Sequence, residues 1–154
     1  MKHIKERILI TVSAILLIFC FTQCKNEDET LSNILLYNQP LKTIQKYIQG
    51  KWRVVYAKGG ISSNYKEYCD DYSVEFTSTN KIISKSFAKT DGAVIIQWVK
   101  DIGTYTNGEL TYLMEFADKQ GVPWVYVVDR IDHDTLIYHD NSVDAVFYHC
   151  VKSN

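Results

Sequence analysis

Hydrophobic positions along the chain recur with two different periods, and the change from one to the other falls at Gly50. Upstream of it, Leu41, Ile44, Tyr47 and Ile48 return at helical spacing. Pro40 suits the first helical position and Gly50 the residue just past the end, so a helix of about two and a half turns is predicted, with one face free to pack on a sheet. From Lys51 onward the period is two, and turn residues divide the chain into eight candidate strands: 51–57, 72–77, 81–87, 93–105, 109–116, 123–131, 135–140 and 144–151. In the first, Trp52, Val54 and Tyr56 share a face opposite Arg53 and Val55; in the second, Tyr72, Val74 and Phe76 oppose Ser73, Glu75 and Thr77. The fourth is the longest, with Val94, Ile96 and Trp98 on one side and a break expected at Asp101 or Gly103. Asn107-Gly108 is the strongest hairpin signal, because a type I′ turn needs positive φ at both central positions.

Strands at this spacing, with no long helices between them, predict an antiparallel meander rather than βαβ units. Eight sequential strands satisfy their edges most simply by closing on themselves. The expectation is therefore an all-β fold: an eight-stranded antiparallel up-and-down barrel preceded by a short α-helix. Several strands are apolar on both faces, so that one set lines the interior while the other packs under the helix or a loop. The aromatics Trp52, Tyr56, Tyr72, Phe76, Trp98, Tyr112, Trp124, Tyr126, Tyr138 and Phe147 fall on these faces. A packed core accounts for most of them, and stacking on a flat ligand is the functional alternative.

The amino terminus follows another logic. Lys2, His3, Lys5 and Arg7 precede an apolar run, Ile8 to Phe21, of 14 residues. A membrane-crossing helix needs about 20 residues, whereas about 7 to 15 suit the core of a secretion signal. Phe21-Thr22-Gln23-Cys24 closes the run, and Lys25-Asn26-Glu27-Asp28-Glu29 follows at once. This resembles a bacterial lipoprotein signal, although Gln23 stands where that family has Gly, Ala or Ser. The resemblance implies a signal peptide over 1–23, Cys24 as the first mature residue carrying fatty acyl chains, and an acidic tether over 24–39 before a barrel domain over 40–154. More than one acyl chain gives a stable anchor where a single chain does not. The charged tether is similar to those that send lipoproteins of some Gram-negative groups to the outer face of the outer membrane; a solvated linker is the alternative. Outer-membrane anchoring is the expected location.

Composition narrows the remaining choices. Lys and Arg number 17 against 18 Asp and Glu, so no concentrated basic surface recommends a nucleic-acid partner. Of four Cys, Cys20 falls in the signal and Cys24 at the anchor, which leaves Cys69 and Cys150 in the folded part. In an oxidising compartment they either pair or remain buried thiols. A bond between them would close a long loop, for which the chain-entropy account gives roughly 4 to 5 kcal/mol. His133, His139 and His149 lie among Asp132, Asp134, Asp140 and Asp144, yet two facing His make an incomplete metal site, and neither zinc nor calcium spacing is present. No metal or other cofactor is expected. Gly59-Gly60-Ile61-Ser62-Ser63 is not a nucleophile elbow, and no phosphate loop or His-Glu-x-x-His exists, so no enzyme activity is expected.

Gly50-Lys51-Trp52, a Gly-x-Trp at the start of the first strand after a short helix, resembles the opening signature of lipocalin-like domains. Asp134-Thr135-Leu136-Ile137 and the closing Tyr148-His149-Cys150-Val151-Lys152 are similar to the last two strands of lipocalin-like lipoproteins of Gram-negative bacteria. The resemblance implies that Trp52 closes the barrel floor beside a basic residue near the chain end, for which Lys152 is the candidate. It also implies a small apolar or amphipathic ligand at the opposite, open end. The alternative is a filled barrel that meets a protein partner through its outer surface. The expected rim comprises the 58–71 loop, the turn after Phe87, the 117–122 turn and the turn near Asn141, with Gly59, Gly60, Tyr65 and Tyr68 as candidate ligand contacts on a lid.

Overall fold

The computed structural model describes residues 33–62, 65–85, 92–118 and 120–153. The expected signal peptide and Cys24 therefore lie outside the described residues, as does most of the expected tether. The helix α1 (Leu41–Ile48) forms where the spacing predicts, buries Ile44 and Ile48, and has Pro40 as its N-cap. Its end is set by Gly50, whose φ of 115° belongs to the left-handed region that favours glycine.

After the helix come β2 (Gly50–Gly59), β3 (Lys66–Tyr68), β4 (Ser73–Phe76), β5 (Lys81–Lys85), β6 (Gly92–Ile95) and β7 (Gln97–Ile102). The chain continues with β8 (Leu110–Ala117), β9 (Pro123–Asp132), β10 (Thr135–Asp140) and β11 (Val146–Lys152). A short β1 (Ile34–Leu35) precedes the helix. All pairings are antiparallel, in the order β6-β5-β4-β2-β11-β10-β9-β8-β7, so first and last long strands pair and the sheet curls into a nearly closed barrel. Its two ends, β6 and β7, are consecutive halves of the predicted fourth strand. The bend falls at Ile96 rather than at Asp101 or Gly103: the Ile96 N–H leaves the ladder and donates to the Asn80 carbonyl at 2.7 Å. The eight predicted strands are all present, and the count reaches eleven through this split and the addition of β1 and β3.

β1 corrects the expected domain boundary. It pairs with β9 at Ile34 and Leu35, and Leu36 is completely buried, so the folded unit takes in residues assigned to the tether. Asn107 and Gly108 do adopt the positive φ expected of their turn, at 55° and 79°. His133 and Asp134, at 44° and 62°, form the β9–β10 turn in the same way.

Register fixes which side chains face inward, because residues directly opposed across a ladder share a face. Trp52 opposes Lys152, Val54 opposes Cys150 and Ala57 opposes Tyr148. The step from Val54 to Ala57 skips one residue, where the β2–β11 register shifts beside Cys150. Such a bulge turns Tyr56, predicted to lie inside with Trp52, to the outer face with His149.

Of the two alternatives for Cys69 and Cys150, the structure has both thiols free. Cys69 bonds through its N–H to the Val55 carbonyl on one side of β2, while Cys150 pairs with Val54 on the other. Two ladder spacings of about 4.8 Å separate the strands that carry them, beyond the reach of about 7 Å for a disulfide. Burial pushes the Cys150 thiol well above its ordinary range, with a further contribution from Cys69.

Candidate ligand site at the barrel mouth

One end of the barrel is sealed by the helix. Trp52 is 1% exposed, and its indole Nε1 donates to the Ile48 carbonyl at 2.6 Å. Lys152, opposite Trp52 in register, holds its Nζ 5.3 Å from the ring centroid. Gln45 reaches from α1 to Asn80 at 2.6 Å and ties the helix to the β4–β5 turn. Above this floor, Leu36, Val54, Val74, Phe76, Met114, Ile131, Leu136 and Cys150 fill the lower barrel.

At the opposite end the interior opens into a cavity of about 130 Å³. Tyr72, Phe116, Trp124, Tyr126, Tyr138 and Tyr148 supply its aromatic wall, while Ser84, Gly92 and Asp118 complete it. The alternating pattern puts all of these rings but Tyr72, which lies just before β4, on one face of β8 to β11, and the turn at Asp118 places Trp124 at the rim. The rings support one another: Tyr138 stacks on Tyr148 at 5.1 Å, and Tyr126 meets the edge of Tyr138 at 5.5 Å. Phe116 and Trp124 flank Tyr126 in stacked geometry, at 5.7 Å and 6.3 Å.

The phenol tips approach one another in two pairs, Tyr72 with Tyr138, where Ser84 joins them, and Tyr126 with Tyr148. Desolvation pushes all four phenols above their ordinary range, so the cavity is lined by neutral hydroxyls. Asp118 is different: its carboxyl is held below the usual range, chiefly by the Val122 N–H, with help from Trp124 and the amides of the turn. One of its oxygens accepts from Gln120 at 2.8 Å and Val122 at 2.9 Å, and the other from the Trp124 indole at 3.3 Å. The carboxylate thus sets both the turn and the orientation of the rim tryptophan.

None of the four expected contacts lines this cavity. Tyr68 opposes Tyr56 in the β2–β3 ladder and so faces outward, where it is 67% exposed; Tyr65 is 49% exposed. β3 is the reason: by pairing with β2 at Tyr56, Ala57 and Lys58 it makes part of the loop a strand of the wall itself. Gly59 and Gly60 do not hinge freely either, since their N–H groups donate to the Tyr65 and Ala145 carbonyls, both at 3.1 Å. The 117–122 turn does reach the rim, through Asp118. The turn after Phe87 lies outside the described residues.

The aspartates and histidines of the final third do not converge. Among the described residues no group of three His, Cys, Asp or Glu could hold a metal ion. His139 is buried on the outer face against Phe147 and Tyr105, its Nδ1–H donating to the Asp140 carbonyl at 2.8 Å. His149 stacks on Tyr56, and His133 bonds Asp132 in the β9–β10 turn. Compared with protein-family models, with curated proteins and with solved structures, the chain matches none. Among the described residues no helix is long and apolar enough to cross a membrane.

The sequence puts ten aromatics on barrel faces, of which Tyr72, Trp124, Tyr126 and Tyr138 line the mouth while Tyr56 and Phe147 face outward, and it places the 117–122 turn at the rim without singling out Ser84, Asp118 or Tyr148. Ser84 and Asp118 carry no motif. Tyr148 was readable as an alternate residue of the last strand, but only the bulge in β2 puts it opposite Ala57 and beneath the opening.

Proposed function

We propose that this protein is a lipid-anchored, lipocalin-like binding module of the cell envelope whose barrel mouth holds a small ring-bearing ligand. The observation that carries the reading is the aromatic cavity itself. Its volume of about 130 Å³ is below the common pocket range of about 300 to 1,000 Å³, but near the roughly 150 Å³ of an apolar cavity that accepts benzene. The occupant is therefore a single six-membered ring, with any larger part of the molecule outside. Neutral phenols within and the Asp118 carboxylate at the rim favour a neutral or cationic ring over an anionic one. The anchor at Cys24 and the outer-membrane location belong to the same proposal and rest on the sequence.

The test uses phenol and benzylamine as probes, followed through the Trp124 indole N–H resonance. Both are expected to shift it, and Ser84→Leu, which fills the cavity, is expected to abolish the shift. If neither compound moves the Trp124 signal, or if the filled variant binds as before, the mouth is not a ligand site and the filled-barrel interaction protein is the better reading. Membrane retention of Cys24→Ala would overturn the anchor separately.

A further inference from the structure

A second concavity lies on the outer wall of the barrel, and its chemistry is opposite to that of the mouth. Two cross-strand rows build it. In the first, Arg130, Ile137, His149, Tyr56 and Tyr68 follow one another across β9, β10, β11, β2 and β3; in the second come Val127, His139, Phe147, Lys58 and Lys66. Both rows face outward because the bulge in β2 and the shifted register in β9 turn Tyr56 and Arg130 away from the interior. Ile137, 3% exposed, is the floor; the Tyr56–His149 stack, with centroids 4.2 Å apart, forms one wall. The opposite wall is Phe147 capped by Tyr105, which meets it edge-on at 5.3 Å. Tyr105 is fixed there by its hydroxyl, which donates to the Val143 carbonyl at 2.6 Å. The space enclosed is about 370 Å³, nearly three times that of the mouth and within the common range for small-molecule pockets.

Three cations surround this space. Lys58 and Arg130 line it directly, and Lys66 lies 3.9 Å from the centroid of Tyr56, on the ring that stacks with His149. Asp129 pairs with Arg130 at 2.8 Å, and Asp132 acts on His149 from the next turn, so two carboxylates partly oppose the three cations. The net field is still positive at His149: burial, followed by Arg130, Lys58 and Lys66, holds the imidazole down at about 4. A neutral imidazole in one wall, facing Phe147 across the groove with cations on the rim, offers stacking and a net positive field.

We propose that this outer groove binds a flat organic anion, a fused or extended ring system carrying a carboxylate, independently of whatever the barrel mouth holds. The ring lies over Ile137 between the His149 and Phe147 walls. The carboxylate meets Arg130 and Lys58, with Lys66 adding to the field.

The probe is 2-naphthoate, whose two fused rings exceed the mouth, with 2-naphthalenemethanol as the uncharged control. Binding is read from the His149 and Tyr56 ring resonances. Naphthoate is expected to shift both, to weaken with added salt, and to raise the His149 pKa above about 4, because a bound anion stabilises the imidazolium. Arg130→Gln or Lys58→Gln should weaken it by up to about fivefold each, the scale of one exposed charge contact. Ser84→Leu should leave it unchanged. Equal affinity for the alcohol, indifference to both charge variants, or shifts confined to Trp124 and Tyr126 would each overturn the proposal. A loss of binding in Ser84→Leu would assign the probe to the mouth instead.

Discussion

The two ends of the barrel use the same residue class for opposite purposes. At the floor, Trp52 is covered by Ile44 and Ile48 of the helix, capped by the Lys152 ammonium, and satisfied at its one polar atom by the Ile48 carbonyl. At the mouth, four tyrosines, Phe116 and Trp124 have no helix above them among the described residues, and they hold one another edge-to-face and stacked around a void. An aromatic side chain stabilises most when every face finds a partner; where partners run out, the same surface becomes a place for a ligand. The floor is therefore where the fold resides, and the mouth is where the proposed binding can be changed without losing the fold.

The most direct way to break this contrast is at Trp52. Trp52→Ala removes a fully enclosed ring and leaves the Ile48 carbonyl without its indole donor, so a loss of about 3 to 5 kcal/mol is expected in equilibrium denaturation. A loss below about 1 kcal/mol would mean that the helix and the Gly-x-Trp turn do not seal the barrel. Leu36→Ala should also be costly, about 2 to 5 kcal/mol, and a null effect there would return residues 33–39 to the tether.

How much of this was legible in the sequence follows from what alternation can encode. Period two found every long strand, and Pro40 and Gly50 bracketed the helix, because these signals are local. β3 was invisible: Lys66, Glu67 and Tyr68 are all exposed, so nothing distinguishes its two faces. The bulge in β2 moved Tyr56 from the inner set to the outer one, and no local residue marks a bulge imposed by the register of a neighbouring strand. The choice between a disulfide and two thiols stayed open for a related reason, since compartment and pairing parity say nothing of the strand between Cys69 and Cys150. The lid misplaced Gly59 and Gly60: at a φ of 116° Gly59 approaches the Ala145 carbonyl too closely for a Cβ, and Gly60, at 80°, is held by its N–H on the same carbonyl, so neither is a free hinge.

A second test turns on the phenols. Desolvation raises Tyr72, Tyr126, Tyr138 and Tyr148 above the ordinary value of 10.0, so each favours the folded state fully below pH 10. As pH rises beyond 10, the unfolded chain gives up protons that the folded chain retains, and stability is lost. Alkaline unfolding should therefore coincide with the appearance of phenolate absorbance from these four. Tyr126→Phe together with Tyr148→Phe should move the transition to higher pH, whereas Trp52→Phe should not. Ionisation of the buried tyrosines near pH 10 in a still-folded protein would contradict the enclosed mouth.

Smaller effects separate strain from binding. At Gly59 an added Cβ would come within 2.4 Å of the Ala145 carbonyl oxygen, at a φ of 116° that L side chains rarely adopt. Gly59→Ala should cost about 1 to 3 kcal/mol of stability and leave phenol binding at the mouth unchanged. Trp124 is the reverse case: 39% exposed at the rim, it contributes little to the core. Trp124→Ala should change the melting temperature only slightly while weakening phenol and benzylamine, and a variant that unfolds instead would place this residue with the floor.

Acid provides the finest distinction, because the outer wall and the mouth titrate in different windows. Burial lowers His149 to about 4 and also depresses His139, against an ordinary value of 6.5. The unfolded chain therefore takes up protons first as pH falls, and stability declines between about 6.5 and 4. His149→Phe, which keeps a ring against Tyr56, should flatten that decline. Asp118 has the same sign in a lower window: its carboxyl lies below 3.8, so its contribution is present above that pH and is lost as pH falls through the lower folded value. In that window the fold changes little, but the Val122 and Trp124 hydrogen bonds to the carboxylate weaken and the rim turn loosens. The Trp124 indole resonance should thus remain fixed from pH 6.5 to 4, while the histidine-linked loss is under way, and move only below it. Asp118→Asn should shift the indole at neutral pH with almost no change in melting temperature. If the indole instead follows the histidine window, the outer wall and the mouth are coupled through β9 and β10 and do not act as separate sites.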